Sequence, residues 1–445
     1  MDTHFWAEHA WLPTGLARNV RIAVIDGRFA EVEVRTRRAS GDVCLPGVVM
    51  PGFANGHSHV FHRALRGRSH TAPDPQAWSK RVYAAAELIT PDSYLDLARA
   101  VYVEMLLAGY TAVGEFHYLH HGPDGRPYAD PNAMSMALVK AAEEVGIRLT
   151  LIDVCYLWGG MTSSGHLPLD GLQERFSDGS VEAWFDRMRR IPQTDLLRRA
   201  AAIHSLAAIT REQAGHVAAL ARELTLHEVP LHVNLSEKPA DNLACQMYYG
   251  RTPTELFHDV GVLGPELVGV HAGNLSDHDI HLLAEARAQV VACPSTERET
   301  GHAVPPTRRL LDSGITVGIG SDHQVAIDPF LELRELEYTE RRRSGERGRL
   351  SVTQLLDIGT RHGHQALGWY EGGAIVPGML ADLVAVDLAS VRTVGSKAAE
   401  ILYTATAADV LTVVVGGRVV VQNGEHVLGA VAPMLREAMQ ALRGQ

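Results

Sequence analysis

Two histidines separated by a single residue, His57 and His59, have the spacing in this sequence that best suits chemistry. They follow an apolar run, Val48-Val49-Met50, that predicts a buried strand. Because side chains two residues apart in an extended segment share a face, both imidazoles can bind one divalent ion. An aspartate, Asp322, ends another strand-like run much later in the chain. A histidine pair at a first strand and an aspartate at a last strand indicate a metal-dependent hydrolase on an α/β barrel.

The segment between these residues predicts the strands of such a barrel. Short β-like runs alternate with helix-like segments, and with the Val48 run their number is eight, the count of a (β/α)₈ barrel. The other seven cover residues 111–116, 148–153, 197–204, 230–235, 267–271, 290–294 and 317–322. Several runs end in, or are closely followed by, residues of catalytic type, namely Glu115, His117, His204, Glu237, His271 and Asp322. Barrel active sites lie at the C-terminal ends of the strands, so we expect these side chains to surround one pocket.

Both ends of the chain carry strand-forming patterns with turn signals. These are a hairpin over residues 20–34 with its turn at Asp26-Gly27, a run over 381–387, and a run over 410–421 with its turn at Gly416-Gly417. We therefore expect a small β-sandwich domain built from both termini beside the α/β barrel. The predicted division is 1–50 for the first part of the β domain, 51–372 for the barrel and 373–445 for the second part of the β domain.

Composition and charge argue against several classes of function. With 445 residues, 46% of them hydrophobic and 21% charged, the chain is long and apolar enough for a large core. The net charge of −11 offers no basic surface for nucleic acid. The N-terminal residues lack a signal-peptide pattern and no apolar run reaches membrane-spanning length, so we expect a cytoplasmic protein without membrane contact. Four scattered cysteines without a Cys-x-x-Cys motif argue against a disulfide framework or thiolate metal site.

Longer motifs point to a family. The most diagnostic is Glu115-Phe-His-Tyr-Leu-His-His121, and the others cover residues 51–59, 204–206, 269–272, 293–297, 320–322, 328–329 and 377–382. On these motifs, which extend over most of the chain, the sequence resembles the amidohydrolase superfamily and, within it, the N-formimino-L-glutamate deiminases. The resemblance implies a TIM-like barrel of the amidohydrolase type, a deiminase acting on a carbon–nitrogen bond, and one zinc ion per chain.

The resemblance also implies roles for individual residues. In such enzymes the metal is bound by the His-x-His pair, a fifth-strand histidine and the eighth-strand aspartate, which assigns His57, His59 and Asp322 as ligands. Asp322 also accepts a proton from the attacking water. Glu237 protonates the leaving nitrogen, and His271 stabilises the developing negative charge. Metal binding lowers the pKa of water from about 15.7 to about 7, which makes hydroxide available at neutral pH.

The fifth strand departs from the family pattern. The family has His-x-His-x-x-Glu there, whereas this chain has His232-Val-Asn-Leu-Ser-Glu237, so Asn234 takes the ligand position. An amide oxygen is a weak ligand for zinc. Three alternatives follow: His232 replaces it from about 6.6 Å further back along the strand, His62 completes the metal shell from a position where the family has glutamine, or no metal binds.

The substrate position departs as well. After His204-Ser-Leu the family has an arginine that would bind the glutamate carboxylate, but this chain has Ala207. Losing such a contact reduces the binding free energy by about 2–5 kcal/mol. We therefore expect poor hydrolysis of formiminoglutamate unless Arg211 or Arg298 supplies the positive charge. The residues expected to form the remaining polar wall are His62, His117, Tyr118, His120 and His204.

The leading hypothesis is a hydrolase of a carbon–nitrogen bond in a small amidine-like or cyclic substrate, acting as a homodimer. The first alternative is a lyase or cyclase of a specialised biosynthetic pathway that needs little or no metal and uses the histidine-rich pocket for acid–base chemistry. The second is a protein that binds a small molecule without catalysis. Retention of Glu237, His271 and Asp322 argues against the second alternative, because an inactive site needs no buried ionisable groups.

Overall fold

The computed structural model describes residues 3–68, 77–224 and 229–442. Its strands are β1 (Thr3–Leu12), β2 (Gly15–Ile25), β3 (Arg28–Glu33), β4 (Val43–Pro51), β5 (Phe53–Ser58), β6 (Tyr110–His117), β7 (Arg148–Cys155), β8 (Gly160–Thr162), β9 (Gly165–Leu167), β10 (Leu197–Ser205), β11 (Leu231–Leu235), β12 (Leu267–His271), β13 (Gln289–Ala292), β14 (Thr316–Ile319), β15 (Leu383–Val386), β16 (Val410–Val415), β17 (Arg418–Gln422) and β18 (Glu425–His426).

The α-helices connect the strands and cover the barrel. They are α1 (Ala77–Leu88), α2 (Pro91–Leu107), α3 (Ala133–Val145), α4 (Val181–Met188), α5 (Arg211–Leu224), α6 (Pro239–Tyr249), α7 (Pro253–Asp259), α8 (Asp277–Glu285), α9 (Pro294–Thr300), α10 (Thr307–Asp312), α11 (Pro329–Ser344), α12 (Val352–Asp357), α13 (Gly363–Ala366) and α14 (Val431–Ala441). Capping boxes satisfy free backbone N–H groups at several helix starts, as at Thr90 before α2 and Ser276 before α8. Among the described residues, no helix is long and apolar enough to cross a bilayer.

Eight parallel strands form the predicted barrel. They are paired in the order β5-β6-β7-β10-β11-β12-β13-β14. The ring closes between its first and last strands, where Ser58 and Asp322 form a parallel bridge. The backbone N–H groups of Ser321 and Asp322 both donate to the carbonyl oxygen of His57, at 2.9 and 3.0 Å. The expected (β/α)₈ barrel is therefore confirmed.

A second sheet contains the strands from both ends of the chain, in the order β18-β17-β16-β15-β4-β1-β2-β3. The predicted hairpin is present as β2 and β3, and Asp26 and Gly27 both have positive φ, as a tight primed turn requires. The expected small β domain built from both termini is thus confirmed.

One strand assignment was wrong. The Val48 run is not the first strand of the barrel, because it lies in β4, which pairs with β1 and β15 in the terminal sheet. The barrel begins instead with β5, two residues further along the chain. Both segments are buried, so the apolar run alone did not reveal which sheet it would join.

Candidate active site

Four of the predicted residues meet at the C-terminal end of the barrel strands. Oδ1 of Asp322 lies 3.6 Å from Nε2 of His57 and 3.4 Å from Nε2 of His59. Nε2 of His271 lies 3.8 Å from Oδ2 of the same carboxylate. All four residues are buried. With His323, whose Nε2 lies 3.7 Å from Oδ2, the arrangement places four imidazoles around one carboxylate.

The neighbouring strand β6 orients His59. Nδ1 of His59 lies 3.0 Å from the carbonyl oxygen of Phe116. Because a carbonyl only accepts hydrogen bonds, Nδ1 carries a proton, and in the neutral tautomer this leaves the lone pair of Nε2 directed towards the site. The pairing of β5 with β6 changes register between Asn55 and Ser58. Such an irregularity can redirect side chains at a strand end.

Glu115 binds the residues on both sides of His59, one through its side chain and one through its backbone. Its Oε1 accepts a hydrogen bond from the N–H of Val60 at 2.6 Å, and its Oε2 accepts one from Oγ of Ser58 at 2.9 Å. Burial raises the pKa of Glu115 to about 8. This fully buried side chain acts on the position of the histidine pair rather than on the pocket itself.

Two of the site residues have strained backbones. His271 has a φ of 69° and Asp322 a φ of 40°, both in the left-handed region that side chains other than glycine rarely adopt. Such conformations cost of the order of 1–3 kcal/mol and cluster at functional sites. Both strained residues lie at the mouth of the barrel, His271 as the last residue of β12 and Asp322 just after β14.

The donor set fits a divalent cation. Buried polar atoms normally have hydrogen-bond partners, yet Nε2 of His57, Oδ1 of Asn234 and Oδ2 of Asp322 have none among the described residues. Burial lowers the pKa of His57 well below its usual value, so the imidazole is neutral and can donate a lone pair. Although burial raises the pKa of Asp322, the neighbouring His323, His59 and His271 hold it well below its usual range. A neutral imidazole beside an ionised carboxylate suits zinc.

The two fifth-strand candidates lie in different places. Asn234 lines the main cavity beside His204 and Glu237. His232 lies deeper, and its Nε2 is 2.9 Å from the carbonyl oxygen of Ala366 in α13. It lines neither of the two cavities at the barrel mouth. The structure therefore gives His232 a partner away from the carboxylate of Asp322.

The cavity above these residues has a volume of about 430 Å³. The predicted residues on its wall are His59, His62, Tyr118, His204, Asn234, Glu237, His271 and Asp322. The wall also contains aromatic side chains that the sequence reasoning did not include, namely Trp78, Tyr83, Tyr156 and Phe176. A smaller cavity of about 150 Å³ adjoins it, and Ala207 lies on its wall.

His117 and His120 do not line either cavity at the barrel mouth, contrary to the expectation that they form its wall. Residues alternate between the two faces of a strand, and the ring of Phe116 lies against His57 and His59, on the site side. His117 therefore points away from the site, with its ring centroid 6.0 Å from that of Tyr94 in α2.

Further polar residues line the cavity, and three of them, Lys238, His302 and His323, contact residues already described. His323 stacks on Trp78, with ring centroids 4.1 Å apart and planes inclined by 20°. Around Glu237, Nδ1 of His302 lies 3.3 Å from Oε1 and Nζ of Lys238 lies 3.7 Å from it. The signal for His323 was its position next to Asp322, whereas His302 lies in a loop with no motif to mark it.

Neighbouring charges shift the pKa values of Glu237 and His271 in opposite directions. Although burial raises the pKa of Glu237, the surrounding His271, His302 and Lys238 hold it well below its usual range. Burial lowers the pKa of His271, but Glu237, Glu297 and Asp322 outweigh it and raise that pKa to about 9. A carboxylate that can accept a proton thus lies in the same cavity as an imidazole that can donate one.

Comparison with known proteins agrees with this geometry. A model of the amidohydrolase family matches residues 48–420. A formimidoylglutamate deiminase of Pseudomonas aeruginosa is 34% identical over 95% of both chains. A 5-methylthioadenosine/S-adenosylhomocysteine deaminase of Nitratidesulfovibrio vulgaris is 27% identical over 85% of this chain and 80% of that protein.

A solved structure shows the same architecture over the whole chain. The crystal structure of an amidohydrolase from Brucella melitensis superimposes with a TM-score of 0.91 at 30% identity, covering 99% of this chain and 100% of that one. The family match, these relatives and the site geometry lead to one conclusion: the chain belongs to the amidohydrolase family and is a hydrolase that acts on carbon–nitrogen bonds.

Proposed function

We propose that this hydrolase releases ammonia from a small planar amidine or nitrogen heterocycle that binds between aromatic side chains. The observation that carries the proposal is the composition of the cavity wall. Trp78, Tyr83, Tyr118, Tyr156 and Phe176 all lie on it. Aromatic faces bind planar rings by stacking and planar cations by cation–π attraction.

The cavity walls have few positively charged groups that could bind the free carboxylates of a substrate. Among the described residues that line the two cavities, none is an arginine. Arg211 is paired with Glu212 and Arg298 with Glu335, and neither lies on the cavity walls, so neither replaces the arginine absent at Ala207. Lys238 lies on both walls, but its Nζ is 3.7 Å from Oε1 of Glu237.

The residues that would hold a divalent ion, which we propose to be one zinc per chain, are His57, His59 and Asp322, with Asn234 within the same cavity. When bound, the metal supplies a water of lowered pKa, the nucleophile of the reaction. We further propose that the protein is a homodimer and works in the cytoplasm.

The chain's own residues move the protons and stabilise charge. Asp322 is ionised and accepts a proton from the attacking water. Glu237, also ionised before the reaction, accepts the second proton of this water and delivers it to the leaving nitrogen. The proton on Asp322 then passes to the products, so that ammonia leaves and both carboxylates are ionised again. His271 donates a hydrogen bond to the developing negative charge, and Glu297, with Oε1 3.4 Å from Nδ1, holds its ring. Removing such a hydrogen-bond donor raises the activation free energy by about 2.7–4 kcal/mol.

The experiment measures ammonia release from three substrates: formiminoglutamate, an N-alkylformamidine without carboxylates, and an aminopurine nucleoside. We expect turnover of one of the two substrates without carboxylates, and a loss of about 10²–10⁴-fold in Glu237→Gln. Turnover of formiminoglutamate at a kcat of about 1–10³ s⁻¹ would overturn the proposed substrate class. Equal activity in Glu237→Gln would overturn the assigned acid–base residue.

A further inference from the structure

We infer that His62 replaces the missing fifth-strand histidine as the third imidazole ligand of the divalent ion. The inference deepens the proposed function and rests on its assumption that a metal binds at this site. It departs from the family arrangement, in which the third imidazole comes from the strand that here carries Asn234.

The first argument is proximity. His59, His62 and Asp322 each offer a ligand atom, and these atoms all lie within 4.8 Å of one another. The ring centroids of His59 and His62 are 4.4 Å apart. Such a cluster of two buried imidazoles and a carboxylate has the composition of a zinc site.

The second argument is that the backbone already holds His62 in place. It lies in a 3₁₀ turn, Val60–Leu65, that follows β5 directly. The N–H of His62 donates to the carbonyl oxygen of His59 at 3.0 Å, and Glu115 binds the N–H of Val60. The carboxylate that fixes His59 therefore also fixes the start of the turn that carries His62.

The third argument is the unsatisfied hydrogen-bonding capacity of the ring. Nε2 of His62 lies 3.3 Å from Oη of Tyr118, while its Nδ1 is buried without a partner among the described residues. A neutral imidazole has one N–H and one lone pair, so the tyrosine satisfies only one of the two nitrogens. A metal ion would satisfy the other nitrogen, and the hydrogen bond to Tyr118 would then orient the ring, as hydrogen-bond partners of ligand histidines do.

The fourth argument is the chemistry of the alternatives. The amide oxygen of Asn234 is a neutral, weak donor to zinc, and His232 is bound to Ala366. His271 also forms a cluster with His57 and Asp322 within 4.8 Å, and its Nδ1 lies 3.4 Å from Oε1 of Glu297. The proposed function assigns this imidazole to the developing charge on the substrate rather than to the metal. Nε2 of His323 lies 3.7 Å from Oδ2 of Asp322, but this ring stacks on Trp78 and belongs to none of the described ligand clusters, whereas His62 belongs to one.

The experiment is equilibrium dialysis of the metal-free protein against Zn²⁺, with metal content measured afterwards and affinity obtained by chelator competition. We expect His62→Gln to weaken Zn²⁺ binding at least about tenfold, since an imidazole ligand is lost. His204→Gln is the matched control, because it changes a histidine of the same cavity that belongs to none of the described ligand clusters. It should bind within about twofold of the parent.

A rescue tests whether the two positions are equivalent. Asn234→His should restore Zn²⁺ binding in the His62→Gln background and give a smaller gain in the parent, because residues that share one metal are not additive. Co²⁺ absorption spectra of the same proteins report changes in the coordination shell independently of activity.

The outcomes separate the inference from the function on which it rests. A parent that binds no Zn²⁺ would overturn the metal in the proposed function and this inference with it. A parent that binds Zn²⁺ as tightly as His62→Gln would overturn this inference alone. If His62→Gln does not fold, X-ray absorption of zinc in the parent decides, because three imidazole ligands are expected and two would contradict the assignment of His62.

Discussion

Arg148 of the barrel and Asp382 of the terminal sheet form a buried, bidentate ion pair. Nε and Nη2 of Arg148, the first residue of β7, donate to the two carboxylate oxygens at 2.7 and 3.0 Å. Asp382 also accepts the N–H of Gly416 at 2.8 Å, and Nη1 of Arg148 donates to the carbonyl oxygen of Asp195. Both side chains are nearly inaccessible to solvent. This pair joins the two parts of the molecule far from the active site.

We therefore expect Asp382→Asn to lower the free energy of unfolding by about 3–5 kcal/mol, because it leaves the Arg148 charge buried and uncompensated. Urea denaturation measures the effect. The double variant Arg148→Met/Asp382→Asn should be more stable than the sum of the two single losses predicts. Strictly additive losses would show that the two side chains do not interact.

A second prediction concerns Ala207. Formiminoglutamate should be a poor substrate of the parent, and Ala207→Arg should raise kcat/KM for it, mainly through a lower KM, because a guanidinium would then line the smaller cavity. Steady-state kinetics with formiminoglutamate test this. Ala207→Gln is the control for side-chain volume without charge. An equal response of both variants would contradict a carboxylate contact at this position.

The aromatic wall gives a third prediction. Trp78→Ala should raise KM for the true substrate about tenfold or more, since stacking contributes about 0.5–1.5 kcal/mol beyond area burial and the variant also loses its stack on His323. Trp158→Ala is the control, because Trp158 binds Gln213 and lines neither cavity. Unchanged KM in Trp78→Ala would mean that substrate does not contact this ring.

The fourth prediction is a pH dependence of stability at Asp409. Although burial raises the pKa of Asp409, hydrogen bonds from Arg392 and Thr406 outweigh it and lower that pKa to about 2. A lowered pKa in the folded state stabilises the protein above the unfolded value, about 3.9, and this contribution is lost as the pH falls towards 2.

At pH 7, Asp409→Asn should therefore be less stable than the parent by about 1–2 kcal/mol, a value reduced by the partial exposure of Arg392. Denaturant titrations at pH 7, 5 and 3 measure the difference, which should shrink only below about pH 4. A difference that is constant over this range would show that the carboxylate is not ionised preferentially in the folded state.

The positions of His57, His59 and Asp322 could be predicted from sequence because they follow from a general property of barrels. Strand ends converge at one mouth, and the first strand meets the last, so residues distant in sequence become neighbours. His117 could have been placed by the same kind of rule, since alternation along β6 sets it opposite Phe116.

Other parts of the site depend on packing that no local pattern encodes. Trp78 reaches the cavity from α1 and His302 from the loop after α9. The Val48 run illustrates the same limit, because its apolar residues suit either sheet and only the pairing of β4 with β1 decides between them. A pattern predicts that a segment is buried, but not which partner buries it.

The backbone closure between His57 and Asp322 has a consequence for biosynthesis. Ribosomes add about 5–20 residues per second, so the histidine pair leaves the ribosome tens of seconds before the aspartate is made. During that interval the nascent chain has two imidazoles but neither the carboxylate nor the closed ring that aligns them. We therefore expect the choice of metal ion to be made only after translation, by the finished barrel and from the ions then available in the cell.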